Sequence, residues 1–506
     1  MNVLQNPAIW TLCLLAFGAC AILLFGHRSR GTPETTQGRN SSAAALATLT
    51  LLMVVSVWMM HAHDGHGSWA ASMLVLEDLG SIAALACAVA GLVTTLMLTP
   101  WLRRAGGGPS AGKDHAEIYA LLLLAIAGMQ VMVQTQHLAV LFLGLETMSI
   151  ALYALCASMR ERRDALEAGF KYFITGAFAS ALLLMAIALL FGITGSMEFG
   201  AVAAKLGSAG ASTGSGALGV VAVVLLIAGF GFKLSLVPFH QWAPDVYQGA
   251  PTPLTGFMAT AVKVTGFVAL LRLLPLLQVH SQHMVPLLGV IAVATMLVGN
   301  LGALAQQNVK RMLAFSSVAH AGYLLAGVTA ALAAEGAAGA AVVFYLLLYT
   351  LMNLGAFGVL AMIERNEGGG LTFTDLAGLK QRRPWLAGAM LLCMLSLAGV
   401  PLTGGFLAKW RIFSVLVPLM NGTHGALFTV LTATLALASL VGLAYYLRVI
   451  LAMYVEPAPT GAILPAVPRL AALAVVLLAA AIVWLGCAPG PAGSEGLAAL
   501  IRSAFA

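Results

Sequence analysis

Apolar residues run along this 506-residue chain in blocks of about 20, parted by short polar segments. A block of that length matches the hydrocarbon core of a bilayer crossed as a helix. The pattern predicts spans near 8–26, 43–60, 79–98, 116–134, 138–158, 168–192, 217–238, 253–274, 285–303, 310–331, 338–362, 385–405, 425–452 and 470–487, about fourteen in all. The weak period-two strands of about ten residues that mark a transmembrane barrel do not occur. The expected fold class is an all-α polytopic membrane protein, with 1–506 as a single membrane domain. The longest segments between blocks, 193–216 and 363–384, are rich in Gly, Ser and charge and read as connectors.

Two blocks are interrupted. LGVVAVVLLIA (218–228) has no polar side chain, yet the run continues into GFGFKLSLVPFHQW (229–242), which carries Lys233, Pro238 and His240. Proline inside a span removes a backbone hydrogen bond and frees carbonyls. A bilayer tolerates this only where protein encloses the break or water reaches it. CMLSLAGVPLTGGFLAKW (393–410) echoes the first break, with LSL, then Pro401 and Lys409, and a shorter helix is expected after the proline. Two breaks five spans apart suggest two five-helix repeats. If their topologies are opposite, the result is an inverted repeat, an arrangement that places ion sites at discontinuous helices in transporters.

Composition agrees: 60% of residues are hydrophobic and 8% charged, against about 25% charged in soluble domains. The net charge of +7 would raise nucleic acid as a partner for a soluble protein. In a membrane protein it marks cytoplasmic loops instead, and no nucleic-acid role is expected. One alternating set of loops holds eighteen basic residues, Arg103, Arg104, Lys171, Lys310 and Arg311 among them, and the other holds only Lys205, Arg272 and Arg502. Both termini are therefore expected on the non-cytoplasmic side. The N-terminus shows neither a basic n-region nor a small-residue cleavage site, so the first span is expected to be retained. The six cysteines are scattered without a CxxC, which supports no iron–sulfur or zinc site. The tract HAHDGH (61–66) has metal-ligand residue types but no partner cluster, and reads as a solvated loop. With neither a Rossmann nor a P-loop fingerprint, the chain alone is expected to bind neither NADH nor ATP.

Four ionisable residues lie within or beside spans: Glu146, Lys233, Lys263 and Lys409. Each costs about 2.5–3.5 kcal/mol of insertion free energy if unpaired, so each should face the bundle interior and mark an ion path. Glu146 and Lys233 as a packing ion pair is the plain alternative. It leaves two lysines unexplained, because one glutamate cannot neutralise three. Burial favours the neutral form of a lysine and a nearby carboxylate favours the charged form, so a lysine with a movable carboxylate partner is a switchable proton carrier. His320 lies mid-span behind Ser316 and Ser317 and reads as a relay. Tyr345, Tyr349 and Asn353 recur every four residues, on one helix face, and extend a polar relay with Ser316. His240 beside the first break is a further candidate.

The segments EAGFKYFITGAFASALLLMAIALLFGITGS (167–196), GFGFKLSLVPFHQWAPDVYQGAPTPLTGFMATAVKVTGF (229–267), NVKRMLAFSSVAHAGYLLAG (308–327) and LAGVPLTGGFLAKWRIF (397–413) resemble the antiporter-like membrane subunits of respiratory NADH:quinone oxidoreductase (complex I), subunit N in particular. The resemblance implies fourteen helices. N-terminal spans 1–3 (1–114) would precede inverted repeats at 115–275 and 284–454, with a last span and tail at 468–506, and the seventh and twelfth spans would be discontinuous. It implies that Glu146 is the span-five glutamate, Lys233 its span-seven partner, Lys263 the central span-eight lysine, His320 part of the hydrophilic axis and Lys409 the terminal group. Lysine rather than glutamate at 409 favours subunit N over its M-type relative and the antiporter counterpart. The tail shows no long lateral helix, unlike the L-type subunit. The implied function is proton translocation in the membrane arm of a translocase, with no redox centre in this chain. FMN, iron–sulfur clusters, NADH and quinone would sit on other subunits. Other membrane-arm subunits and the lipid bilayer would be the partners, in a bacterial inner membrane. The alternative is a subunit of a multisubunit sodium/proton antiporter or of a related membrane-bound hydrogenase.

Overall fold

The computed structural model describes residues 7–28, 34–61, 74, 77–105, 116–209, 215–334, 337–364, 371–458, 464–488, 490 and 493–505. All but the first residue of HAHDGH lies outside them. Among the described residues the regular structure is helical, with only isolated bridges of extended backbone.

The chain enters as α1 (Pro7–Arg28), α2 (Glu34–His61), α3 (Asp78–Ala105), α4 (Ala116–Gln134), α5 (Leu138–Cys156) and α6 (Arg163–Thr194). A short α7 (Phe199–Ala209) leads to the seventh span, split into α8 (Ser215–Leu234) and α9 (Trp242–Gly249). Then come α10 (Thr252–Arg272), the short α11 (Leu274–Gln278), α12 (Ser281–Leu304), α13 (Val309–Ala333) and α14 (Ala338–Ile363). After two single turns, α15 (Phe373–Leu376) and α16 (Leu379–Arg382), the twelfth span is split into α17 (Pro384–Ala398) and α18 (Gly404–Leu416). The chain finishes with α19 (Gly425–Tyr454), α20 (Arg469–Cys487) and α21 (Ser494–Ser503). Eleven of these helices are long and apolar enough to cross a membrane, and α1, α2 and the split α17–α18 bring the spans to fourteen. Both segments read as connectors carry short helices, α7 in one and α15 and α16 in the other.

The helices are layered by burial. The apolar stretches of α10, α13 and α14 are 100%, 94% and 89% buried, whereas those of α6 and α20 are 33% buried. The three inner helices carry Lys263, His320, Tyr345 and Tyr349, so polar chemistry sits where lipid cannot reach. The outer helices present apolar faces, such as Phe170, Phe173, Ile174 and Phe178 on α6, as a bilayer requires.

Each split has a local cause. A residue preceding proline is disfavoured in the helical region, and α8 ends at Leu234, before Ser235 in the left-handed region at φ 59° and the cis Val237–Pro238 bond. In the twelfth span α17 ends at Ala398, and Gly399 follows at φ +84°. A side chain at 399 would be strained at that φ, and its Cβ would lie 2.9 Å from Lys409 Cδ, so the lysine would have to shift. Asn308 caps α13, its side chain accepting from the Arg311 N–H at 3.0 Å, one of the donors a helix start leaves open.

Several basic residues expected in loops are instead tied to neighbouring helices, Lys310, Arg272 and Lys171 among them. Lys310, fully buried, lies 3.7 Å from Glu364 and donates to the Ala250 carbonyl at 2.7 Å. Glu364 accepts from Trp101 Nε1 at 2.6 Å. Arg272 is buried against Glu77 at 3.2 Å. Lys171 bridges Glu167 at 2.7 Å and Asp245 at 2.8 Å. Hydropathy places helix ends in loops, but an end packed against neighbouring helices carries its charge inward and must find a partner there. Glu364→Leu is expected to cost about 3–5 kcal/mol by stranding Lys310, seen as loss of assembled protein in membranes. Adding Lys310→Met should restore part of it, because a dry pair replaced by apolar groups of similar size is close to neutral, while Trp101 Nε1 still lacks its acceptor.

Candidate functional site

The site has two parts, one at each broken span. In the first, Glu146 is half-buried on α5 and accepts a hydrogen bond from Ser180 on α6. Lys233, buried in the last turn of α8, donates to Ser149 Oγ at 2.7 Å and to Tyr172 Oη at 3.3 Å. Its ammonium also lies 5.3 Å and 5.7 Å from the ring centres of Tyr172 and Tyr153, within cation–π range. The expected Glu146–Lys233 ion pair is therefore not closed: each group has a nearer hydroxyl, and the two are not in contact. A small cavity beside Lys233 is lined by Ser149, Tyr153 and Ser180 as well, with about 10 Å3 open to the centre of a water-sized molecule. That is room for about one water. The cavity reaches Lys233 and Ser180, the residue whose hydroxyl donates to Glu146.

Beyond the break, Asp245 on α9 joins Lys171 on α6 at 2.8 Å and Arg311 on α13 at 2.5 Å. This clamps the second half of the split span to its neighbours. His240 is half-buried beside Pro238, its Nδ1 without a hydrogen-bond partner, and it joins neither part of the site. Pro238 and Pro401 are both exposed at their breaks.

The second part lies in the dry centre. Lys263 on α10 donates to the Ser317 carbonyl at 2.8 Å and to the Leu234 carbonyl at 3.2 Å. Leu234 is the last residue of α8, whose open carbonyls carry the negative end of a helix dipole. Lys409 does the same at the second break, donating to the carbonyl of Ala398, the last residue of α17, at 2.9 Å. At both breaks a lysine ammonium takes one of the freed carbonyls. A helix C-terminus supplies partial negative charge without adding a carboxylate, which explains how several lysines are buried beside a single glutamate.

His320 on α13 connects tyrosines. Its Nδ1 is 2.7 Å from Tyr345 Oη and its Nε2 3.0 Å from Tyr446 Oη. Tyr446 is also hydrogen-bonded to Ser316. A hydroxyl both donates and accepts, so these partners suit either the neutral or the protonated ring. Tyr349 donates to Ser317 Oγ at 2.9 Å, one residue's side chain away from the carbonyl that holds Lys263. Asn353 donates to the Tyr349 carbonyl at 3.1 Å, within its own helix. A further chain runs Tyr445 to Asn300 to Tyr323, at 3.1 Å in each step. The Tyr323 ring lies 5.3 Å from Lys409 Nζ and edge-on to His320 at 5.4 Å. Tyr323, Asn300, Tyr445 and Tyr446, with Ser149, Ser180 and Tyr172, escaped the sequence reading. Their one signal was polarity inside apolar runs, clearest in the adjacent tyrosines 445 and 446.

Among the described residues no group of three or more His, Cys, Asp or Glu is placed to hold a metal. Proton transfer is the chemistry the arrangement can perform: titratable and hydroxyl groups stand a few ångströms apart in a dry interior, in two segments. The intervals at Lys233–Lys263 and His320–Lys409 are not bridged by a direct hydrogen bond between those side chains.

The family described as NADH:quinone oxidoreductase/Mrp antiporter, TM matches residues 135–438. NADH-quinone oxidoreductase subunit N 2 of Roseiflexus castenholzii is 45% identical over 356 residues, 69% of this chain and 70% of the relative. NADH-quinone oxidoreductase subunit N of Acidithiobacillus ferrooxidans is 37% identical over 493 residues, 96% of this chain and 95% of the relative. A chain of respiratory complex I from Thermus thermophilus with bound aureothin superposes with a TM-score of 0.76 at 32% identity, covering 95% of this chain and 97% of that one. A chain of the Mrp complex from Dietzia sp. shares the fold, with a TM-score of 0.77 at 22% identity over 97% of this chain and 96% of that one. On this match in sequence and in fold, the chain belongs to the NADH:quinone oxidoreductase/Mrp antiporter family, among the NADH-quinone oxidoreductase subunit N proteins.

Proposed function

We propose that this chain is a proton-translocating membrane-arm subunit of an NADH:quinone oxidoreductase, coupling electron transfer elsewhere in the complex to proton movement through Glu146, Lys233, Lys263, His320 and Lys409. The observation that carries the reading is the pair of lysines set on helix C-termini at the two breaks, Lys263 on Leu234 and Lys409 on Ala398. They stand on either side of the His320–tyrosine cluster. A buried cation held by a helix dipole can give up its proton without stranding a carboxylate. In this scheme the redox groups, FMN, iron–sulfur clusters, NADH and quinone, belong to partner subunits, and this chain moves protons only. The protein lies in a bacterial inner membrane with both termini on the non-cytoplasmic side, a placement supported by the bias of lysine and arginine toward one set of loops.

Purification of the tagged chain from its own membranes tests this directly. Co-purification of flavin- and iron–sulfur-bearing subunits is the expected result. Robust sodium/proton exchange by the isolated chain in liposomes would overturn it. Within the complex, Glu146→Gln is expected to lower pumping and electron transfer together. Glutamine keeps the shape and can still accept from Ser180, but it removes the charge that favours a protonated Lys233. Normal proton uptake by vesicles of this variant would leave Glu146 a structural role only.

A further inference from the structure

Glu146, Ser149 and Tyr153 are spaced by three and four residues on α5, so they share one helix face. Gly176 and Ser180, four residues apart on α6, share a face there by the same rule. The two faces meet. Ser180 donates to Glu146, and a Cβ at Gly176 would overlap the Tyr153 hydroxyl, so glycine leaves that hydroxyl room against α6. The small cavity beside Lys233 is lined from α5, α6 and α8. Its polar lining is Lys233 with Ser149, Tyr153 and Ser180, and the remainder is apolar or glycine.

The hydroxyls around Lys233 are not equivalent. Ser149 accepts from Lys233 at 2.7 Å and donates its own hydrogen to the Leu145 carbonyl of its helix. That hydrogen is committed, so Ser149 holds the ammonium and passes nothing on. Tyr172 accepts from Lys233 at 3.3 Å but does not line the cavity. Among the described residues, Ser180 is the cavity-lining hydroxyl that is bonded to Glu146. A hydroxyl donates and accepts through one oxygen, so it can take a proton on one side as it gives one on the other. The space admits about one water, and the ammonium and hydroxyls of the lining supply the two to four polar partners that a buried water needs.

We propose that Ser180 is a proton relay, handing a proton from Glu146 to Lys233 through one water held in this cavity. The relay rests on the proton-translocation reading and adds a residue to its first part. Loading begins with Glu146 as the carboxylic acid and Lys233 as the amine. Glu146 gives its proton to Ser180 Oγ, the hydrogen of Ser180 moves to the water, and a hydrogen of the water moves to Lys233 Nζ. Three O–H bonds break, and two O–H bonds and one N–H bond form. Glu146 ends as the carboxylate and Lys233 as the ammonium, with serine and water restored. Ser180 then donates to Glu146, which is the arrangement in the structure. The acid and the amine need not touch, in keeping with the separate hydroxyls they bond.

Two measurements on the intact complex test it. The first is a structure at water-resolving resolution, in which a water within hydrogen-bond distance of both Lys233 Nζ and Ser180 Oγ is expected. A dry cavity overturns the relay without recourse to any variant. The second is NADH-driven proton uptake by inverted vesicles carrying Ser180→Val, Ser180→Thr or Ser180→Asn, with assembly read by electron transfer to an artificial acceptor. Valine fills the place of the hydroxyl, threonine has the same shape and keeps it, and asparagine can donate to Glu146 but has no hydroxyl. Protons taken up per NADH are expected to fall severalfold with valine and asparagine and to stay near wild type with threonine. A wild-type ratio with asparagine reduces Ser180 to a group that orients Glu146, and overturns the relay. So does a threonine variant as poor as the valine one, since the loss then follows bulk and not the hydroxyl. A wild-type ratio with valine, beside a poorly pumping Lys233→Met preparation, overturns the relay and leaves the pump reading standing. A wild-type ratio in Lys233→Met as well removes the pump reading, and the relay with it.

Discussion

Lys233→Arg is expected to lower NADH-driven proton uptake into inverted vesicles at least about tenfold, equivalent to about 1.4 kcal/mol, while the complex still assembles. The two roles open to Lys233 diverge at this substitution. As a packing cation it contacts Ser149 Oγ at 2.7 Å, Tyr172 Oη at 3.3 Å and two tyrosine faces. Arginine is charged, donates along several directions and stacks on aromatic rings, so it can meet those needs with modest repacking. As a proton carrier Lys233 must also let its proton go, and arginine does not, because its pKa stays above about 12. Lys233→Met should fail by the opposite route, through loss of the carrier. Assembly is read by electron transfer to an artificial acceptor. Arginine with near-normal uptake would return Lys233 to an ion of structure. The small cavity between Lys233 and Ser180 is the physical ground for expecting the carrier, since a group that exchanges protons needs water within reach.

At Lys263 the loss should exceed that at His320. Lys263→Met keeps most of the stem and removes the ammonium. The carbonyls of Leu234 and Ser317, held at 3.2 Å and 2.8 Å, lose that donor. An unsatisfied buried group costs about 1–3 kcal/mol, so the end of α8 should loosen as the central charge disappears. His320→Ala removes a ring held between Tyr345 and Tyr446. Water can occupy that space and bond both hydroxyls, as it does in polar cavities with several partners. Proton uptake per NADH, compared in the same membranes, should therefore rank wild type above His320→Ala and His320→Ala above Lys263→Met. Equal and negligible losses in the two variants would argue against a path through this subunit.

Most of the architecture was readable along the chain because a bilayer enforces it. A helix in hydrocarbon must satisfy its own backbone and cover itself with apolar side chains, so runs of about 20 residues mark the spans. The breaks were equally plain, since Pro238 and Pro401 stand in runs that otherwise predict unbroken helices. Glu146, Lys233, Lys263 and Lys409 stood out for the same reason: a charge in such a run is costly and needs a purpose. None of this required knowing which helices are neighbours.

The partners were a different matter, because they come from helices distant in sequence. Ser180 meets Glu146 across 34 residues, and Tyr446 meets His320 across 126. Nothing local to Ser180 or Tyr446 distinguishes it from a hydroxyl bonded to its own helix, as Thr175 and Thr194 are. Lys310 and Arg272 were misread as loop residues because hydropathy ranks a helix end by composition, not by what packs over it. The chain by itself thus determined the spans, the breaks and the costly charges, each enforced by the bilayer one residue at a time. Only the tertiary structure decided that Lys263 and Lys409 rest on the carbonyl ends of other helix segments, that Glu146 and Lys233 bond separate hydroxyls, and that His320 is held between two tyrosines. Hydrogen bonds reach about 3 Å, and which groups come that close depends on how the helices pack.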